Sequence, residues 1–140
     1  MGRVKRRVAL IVEDHPSLQQ AMKKCLEEKA FDVLTALNYQ SAVRVLESSQ
    51  PSIVCVDLEL PNESGYELCE YIRQKASVNK VPILVISDRG FPEDMAHAEE
   101  AGANAFLKKP FPMPRLEKYV NALLDGAYAS RPSVRRLRVP

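Results

Sequence analysis

No apolar run in this 140-residue chain approaches the roughly 20 residues that a membrane-spanning helix requires. The stretch from Val8 to Val12 follows Arg3, Lys5, Arg6 and Arg7 but is too short for a secretory h-region, and Glu13 and Asp14 cut it off. The protein is therefore expected in the cytoplasm, without membrane partners. The three cysteines, Cys25, Cys55 and Cys69, are not at CxxC spacing and lie within apolar patterns, so they read as small core residues rather than disulfides or metal ligands. There is no internal repeat, and nothing is low-complexity before the C-terminal tail.

What is present is ordinary for one soluble globular domain: 46% hydrophobic and 27% charged residues. The net charge of +2 is unevenly spread. Setting aside the four basic residues before Val8, the four after Leu124 and Asp125 leaves 12 basic and 17 acidic residues, a net of −5 for the body. An acidic body with basic ends argues against a nucleic-acid-binding face on the fold. The chain divides into a basic extension over residues 1–6, a folded domain over 7–127, and an Arg- and Pro-containing tail or linker start over 128–140.

Strand and helix patterns alternate five times. Short aliphatic runs at 7–13, 31–36, 52–57, 81–87 and 104–108 read as strands. Segments beginning at Pro16 and spanning 39–48, 64–76, 92–101 and 113–127 carry apolar residues at helical spacing. Strands apolar throughout, alternating with amphipathic helices, imply a parallel sheet covered on both faces. The expected fold is a doubly wound five-stranded parallel sheet of order 2-1-3-4-5 with five helices, flavodoxin-like.

In such a sheet, ligands bind beyond the carboxyl ends of the strands. The first strand ends in Glu13 and Asp14, the third in Asp57, the fourth in Ser87, and the fifth in Lys108, Lys109 and Pro110. Crowded carboxylates raise one another's pKa, and a hard divalent cation relieves the repulsion. Mg²⁺ suits the site because it needs few protein ligands and keeps several waters. A metal, an ammonium and a hydroxyl around a carboxylate are what phosphoryl transfer to that carboxylate requires. Each residue alone has a plainer reading, as a helix cap, a turn former or a surface lysine; the site rests on their convergence.

From about Arg7 to Leu124 the chain resembles response-regulator receiver domains of bacterial two-component signalling. The resemblance lies in ALIVED at 9–14, VDLELP at 56–61 with Gly65 four residues later, PILVIS at 82–87 and AGANAFLKKPF at 101–111. It implies that Asp57 is the phosphoacceptor. It also implies Asp14 as a direct Mg²⁺ ligand, Glu13 as its partner acting through water, and the backbone carbonyl of Glu59 as a further ligand. Ser87 matches the hydroxyl that reaches for the phosphoryl group, Lys109 the family lysine, and Phe106 the aromatic switch, while Lys108 is expected to face solvent. The implied donor is a histidine kinase or histidine phosphotransfer protein. The implied output is a switched surface, made of the fourth helix, fifth strand and fifth helix, offered to a downstream protein. The chain is thus expected to be a signalling switch rather than an enzyme, with only self-phosphorylation and self-dephosphorylation.

Two features depart from the family pattern. Asp88 follows the switch hydroxyl, where a small residue is usual. Glu59 and Arg89, two residues beyond the acceptor and the hydroxyl, are opposite charges expected to pair across the mouth of the site. Phe106, lacking a phenol hydroxyl, is expected to lie exposed beside Ala101 and Phe111 before switching and to turn inward after it. Asn104-Ala105 stands where charge-laced dimers carry acids, which favours a monomer or weak dimer. His15 and His97 read as ordinary residues. A dehalogenase-type phosphatase is rejected, because position 59 is Glu and the acceptor is on the third strand. A degenerate docking receiver, and a receiver cut from a longer regulator, remain as alternatives.

Overall fold

The computed structural model describes residues 6–126. The strands are β1 (Arg7–Val12), β2 (Phe31–Ala36), β3 (Ile53–Asp57), β4 (Ile83–Ser87) and β5 (Ala105–Lys108). The helices are α1 (Pro16–Glu27), α2 (Tyr39–Ser48), α3 (Gly65–Gln74), α4 (Pro92–Ala101) and α5 (Met113–Leu124). All strand pairs are parallel, in the order β2-β1-β3-β4-β5. The expected architecture is the one observed.

The period-2 alternation of buried strands divides the core into two layers. Leu10, Val12, Val54, Val56, Ile83, Val85 and Phe106 point to one face, where Ala42, Leu46, Leu68, Ile72 and Ala98 of α2, α3 and α4 cover them. Ala9, Ile11, Ile53, Cys55, Leu84, Ile86 and Leu107 point to the other, against Met22 and Leu26 of α1 and Leu116, Val120 and Leu123 of α5. Because β1 lies between β2 and β3, the direction of winding reverses at β1 and β3, which opens a crevice at their carboxyl ends.

Several elements are shorter than the sequence pattern implies. Helix α3 begins at Gly65 because Ser64 is its N-cap, with its hydroxyl accepting from the Glu67 N–H and the Glu67 carboxylate accepting from the Ser64 N–H. Strand β4 begins after Pro82, which has no N–H for the ladder. Asn104 precedes β5, its side-chain oxygen taking bonds from Ile83 N (2.8 Å) and Arg73 Nη2 (2.8 Å). Arg6, assigned to the N-terminal extension, pairs with Asp32 at 2.7 Å and donates to the Phe31 carbonyl, so it belongs to the folded body. The rest of that extension and the Arg-bearing tail lie outside the described residues. Cys55 and Cys69 are buried and Cys25 is partly buried, all as free thiols.

Candidate functional site

Asp57 is the last residue of β3 and is fully buried. Its Oδ1 accepts from the Glu59 N–H at 2.9 Å, and its Oδ2 from the Lys109 ammonium at 3.1 Å. Lys109 follows β5, adjoins a cis peptide bond to Pro110, and also lies 3.0 Å from Glu13 Oε1 as an ion pair. Burial alone would lower the Lys109 pKa, but Glu13 and Asp57 outweigh it and hold the ammonium above its ordinary value. Glu13, with no exposed surface, is shifted the other way. Burial chiefly, then the neighbouring Asp57, raises its pKa.

The loop geometry that holds Asp57 depends on Gly65, whose N–H donates to the Leu58 carbonyl at 2.9 Å. A Cβ on Gly65 would stand 2.4 Å from the Asp57 carbonyl oxygen and 2.8 Å from Leu58 Cα, so only glycine fits this close approach. On the β1 side, buried Gln19 of α1 donates to the carbonyls of Glu13 (3.1 Å) and Ala36 (3.2 Å), fixing the strand end that carries the acidic pair. Sequence reasoning missed Gln19. Its signal was a polar residue on the buried stripe between Leu18 and Met22.

One ligand atom from each of Glu13, Asp14, His15 and Asp57 lies within 4.8 Å of all the others. Asp14 Oδ1 is a buried oxygen without a hydrogen-bond donor, and Glu13 Oε1, equally buried, has only the Lys109 ammonium as its ion-pair partner. Buried anionic oxygens so placed are costly unless a cation completes them, and three carboxylates at the crevice fit a hard ion such as Mg²⁺. His15, read as ordinary from the sequence, adjoins this group, with Nδ1 3.1 Å from Glu13 Oε2 and 3.4 Å from Asp14 Oδ1. Those carboxylates raise its pKa, the hydrogen bond to Glu13 most.

The remaining expected residues are placed as follows, with two corrections. Ser87 ends β4 and is buried, but its hydroxyl donates to Glu59 Oε2 at 2.8 Å while accepting from the Arg89 N–H at 3.0 Å. Arg89 does not pair with Glu59. Its guanidinium lies 3.1 Å from Asp94, a nearly buried acid whose other oxygen accepts from the Phe91 N–H at the start of α4. Phe106 is not exposed in this conformation: 6% of its surface is accessible, because β5 alternation points the ring into the layer under α4. His97 is exposed, as expected of a surface residue, and its ring stacks on Tyr66 with centroids 3.7 Å apart. Lys108 is exposed, as anticipated, with its stem against Gly90. Asp88 is exposed and lines a cleft of about 360 Å³ with His15, Leu18, Lys109 and Phe111, which leads to the site.

The model of the response regulator receiver domain matches residues 9–121, spanning every motif above. The chain belongs to that family. Among curated relatives, it is 31% identical over 115 residues to the sensory transduction protein BceR of Halalkalibacterium halodurans, covering 82% of this chain and 48% of the relative. It is 35% identical to the response regulator protein GraR of Staphylococcus epidermidis, with 82% and 47% covered. The chain thus spans about half the length of the curated relatives it matches. Among solved structures, a putative response regulator from Chloroflexus aurantiacus superposes with a TM-score of 0.82 at 29% identity, covering 86% of this chain and 99% of that one. The receiver domain of a histidine kinase from Syntrophus aciditrophicus gives 0.79 at 30% identity, with 86% and 91% covered. This receiver domain has no helix, among the described residues, long and apolar enough to cross a membrane.

Proposed function

We propose that this receiver domain takes a phosphoryl group onto the Asp57 carboxylate from a phosphohistidine of a kinase or phosphotransfer protein, with Mg²⁺ bound, and later loses it to water. The observation that supports the reading most is the Lys109 ammonium, 3.1 Å from Asp57 Oδ2 and 3.0 Å from Glu13 Oε1, beside the buried Asp14 Oδ1 that has no hydrogen-bond donor. A carboxylate so placed is a nucleophile with its counter-charge already in position.

In the proposed reaction an Asp57 oxygen forms a bond to phosphorus as the phosphorus–nitrogen bond of the donor breaks, and the released imidazole takes up a proton from water. Asp14, Asp57 and the Glu59 backbone carbonyl would hold the metal, with Glu13 acting through water. When bound, the ion supplies positive charge to the equatorial oxygens of the transferring group. Lys109 adds an ammonium to the same oxygens, and its bond to Asp57 holds the acceptor carboxylate in place. Ser87 supplies a hydroxyl once it turns toward Asp57. Phe106 then repacks within the space around β5, and the α4-β5-α5 surface carries the change to a downstream protein. No catalysis on other substrates is assigned, and a cytoplasmic location accords with this role.

Incubation with acetyl phosphate and Mg²⁺ tests the reading. Intact mass spectrometry is expected to show one added phosphoryl group, absent in Asp57→Asn and in the presence of excess chelator. A folded parent protein that gains none would support the phosphorylation-independent docking module instead.

A further inference from the structure

The Glu59 side chain has a role separate from its backbone carbonyl. The Ser87 hydroxyl carries one proton, and in this structure that proton goes to Glu59 Oε2 at 2.8 Å. Glu59 Oε1 accepts in addition from the Asp88 N–H at 3.4 Å, so both carboxylate oxygens face the end of β4. The same residue's N–H donates to Asp57 Oδ1, which places the Glu59 backbone on the acceptor and its side chain on the switch hydroxyl. Arg89, the nearby cation able to draw Glu59 away, is 3.1 Å from Asp94 instead.

We propose that the Glu59 carboxylate is a positioning residue that latches the Ser87 hydroxyl, standing in for the phosphoryl oxygen that Ser87 would otherwise bind. The inference rests on the reading of Asp57 as phosphoacceptor. A phosphoryl group on Asp57 takes the hydroxyl proton only if the charge-assisted bond to Glu59 breaks. Two anions then compete for one donor, and the arriving group also repels the carboxylate it displaces. Glu59 therefore sets how tightly the site engages a phosphoryl group, acting through Ser87 rather than on the reacting atoms. The latch differs from a simple field effect of one more negative charge, because it requires the Ser87 hydroxyl.

Titration with beryllofluoride, a phosphoryl analogue, at saturating Mg²⁺ separates the two in the 140-residue parent and its Glu59→Ala, Glu59→Gln, Ser87→Ala and Glu59→Ala/Ser87→Ala variants. Glu59→Ala should tighten beryllofluoride binding about tenfold, the scale of one charge-assisted hydrogen bond. Glu59→Gln, which keeps an acceptor for the hydroxyl, should gain less, and in the Ser87→Ala background the Glu59 gain should largely vanish. Equal gains with and without the hydroxyl, or no gain from Glu59→Ala, would overturn the latch. Amide hydrogen exchange of Asp88 and Arg89, followed by NMR in ligand-free protein, tests it independently of the acceptor reading. Exchange should quicken in Glu59→Ala, and unchanged rates would also overturn the latch. A parent that binds no beryllofluoride while its amide exchange still responds to Glu59 would contradict the acceptor assignment alone.

Discussion

Lys109 and Asp57 are 52 residues apart in sequence, yet the ammonium of one donates to the carboxylate of the other at 3.1 Å, both nearly inaccessible to water. The carboxyl ends of β3 and β5 bring them together across β4, and Glu13 at the end of β1 completes a buried triad of two acids and one base. The balance of charge in that triad decides what the site tolerates.

The two members of the acidic pair should differ in their effect on metal. Asp14→Ala is expected to abolish measurable Mg²⁺ binding, whereas Glu13→Ala, removing a group that acts through water, should weaken it about tenfold. Isothermal titration calorimetry distinguishes them. Equal losses would contradict the division of roles.

Glu13 also makes stability depend on pH when divalent ions are removed. Its pKa in the fold lies above the ordinary 4.5, so the folded protein keeps a proton that the unfolded chain releases. Stability from this group is thus fullest below about 4.5 and falls as pH rises toward the raised value. In EDTA, Glu13→Gln should flatten this fall and melt higher than the parent at pH 7. Identical pH slopes of Tm in the two proteins would contradict the assignment.

Gly65→Ala places a methyl against backbone rather than a movable side chain, 2.4 Å from the Asp57 carbonyl oxygen. We expect a loss of about 1–3 kcal/mol by urea unfolding, with weaker Mg²⁺ binding because the acceptor strand end must shift. Parent-like stability and affinity would show that the α3 start relaxes freely.

The order of strands and helices, both core layers and the gathering of Glu13, Asp14, Asp57, Ser87 and Lys109 were all legible in the sequence, since hydrophobic period fixes which residues end each strand. The pairings made by side chains across loops were not. Arg89 chose Asp94 over Glu59, and the available sign was an acid at the third position of a helix opened by Pro92, which reaches back to its own N-terminus. Arg73 gives no comparable sign. Its guanidinium joins the carbonyls of Gly102, Asn79 and Val81 to the Asn104 side chain, contacts set by where two loops meet. Phe106 was placed on the right strand, and the alternation along β5 that turns its ring under α4 was readable too; the expectation of an exposed ring came from the switch that the family resemblance implies.

The cysteines offer a check on the core layers. Burial pushes the thiols of Cys55 and Cys69 up to about 12, and both lie inside the sheet and α3 packing. A thiol reagent at pH 8 should modify Cys25 alone in the native protein, slowly, and all three after unfolding. Rapid labelling of Cys55 in native protein would contradict the packing.

The central claim, that Asp57 accepts the phosphoryl group, is tested most directly by trapping the adduct. Borohydride reduces an aspartyl phosphate to the alcohol, leaving homoserine at the modified position, which peptide mass spectrometry can locate after treatment with acetyl phosphate and Mg²⁺. The account predicts homoserine at position 57 and at no other acid. Reduction at Asp14, Glu13 or Asp88, or none in protein shown to carry a phosphoryl group, would contradict it.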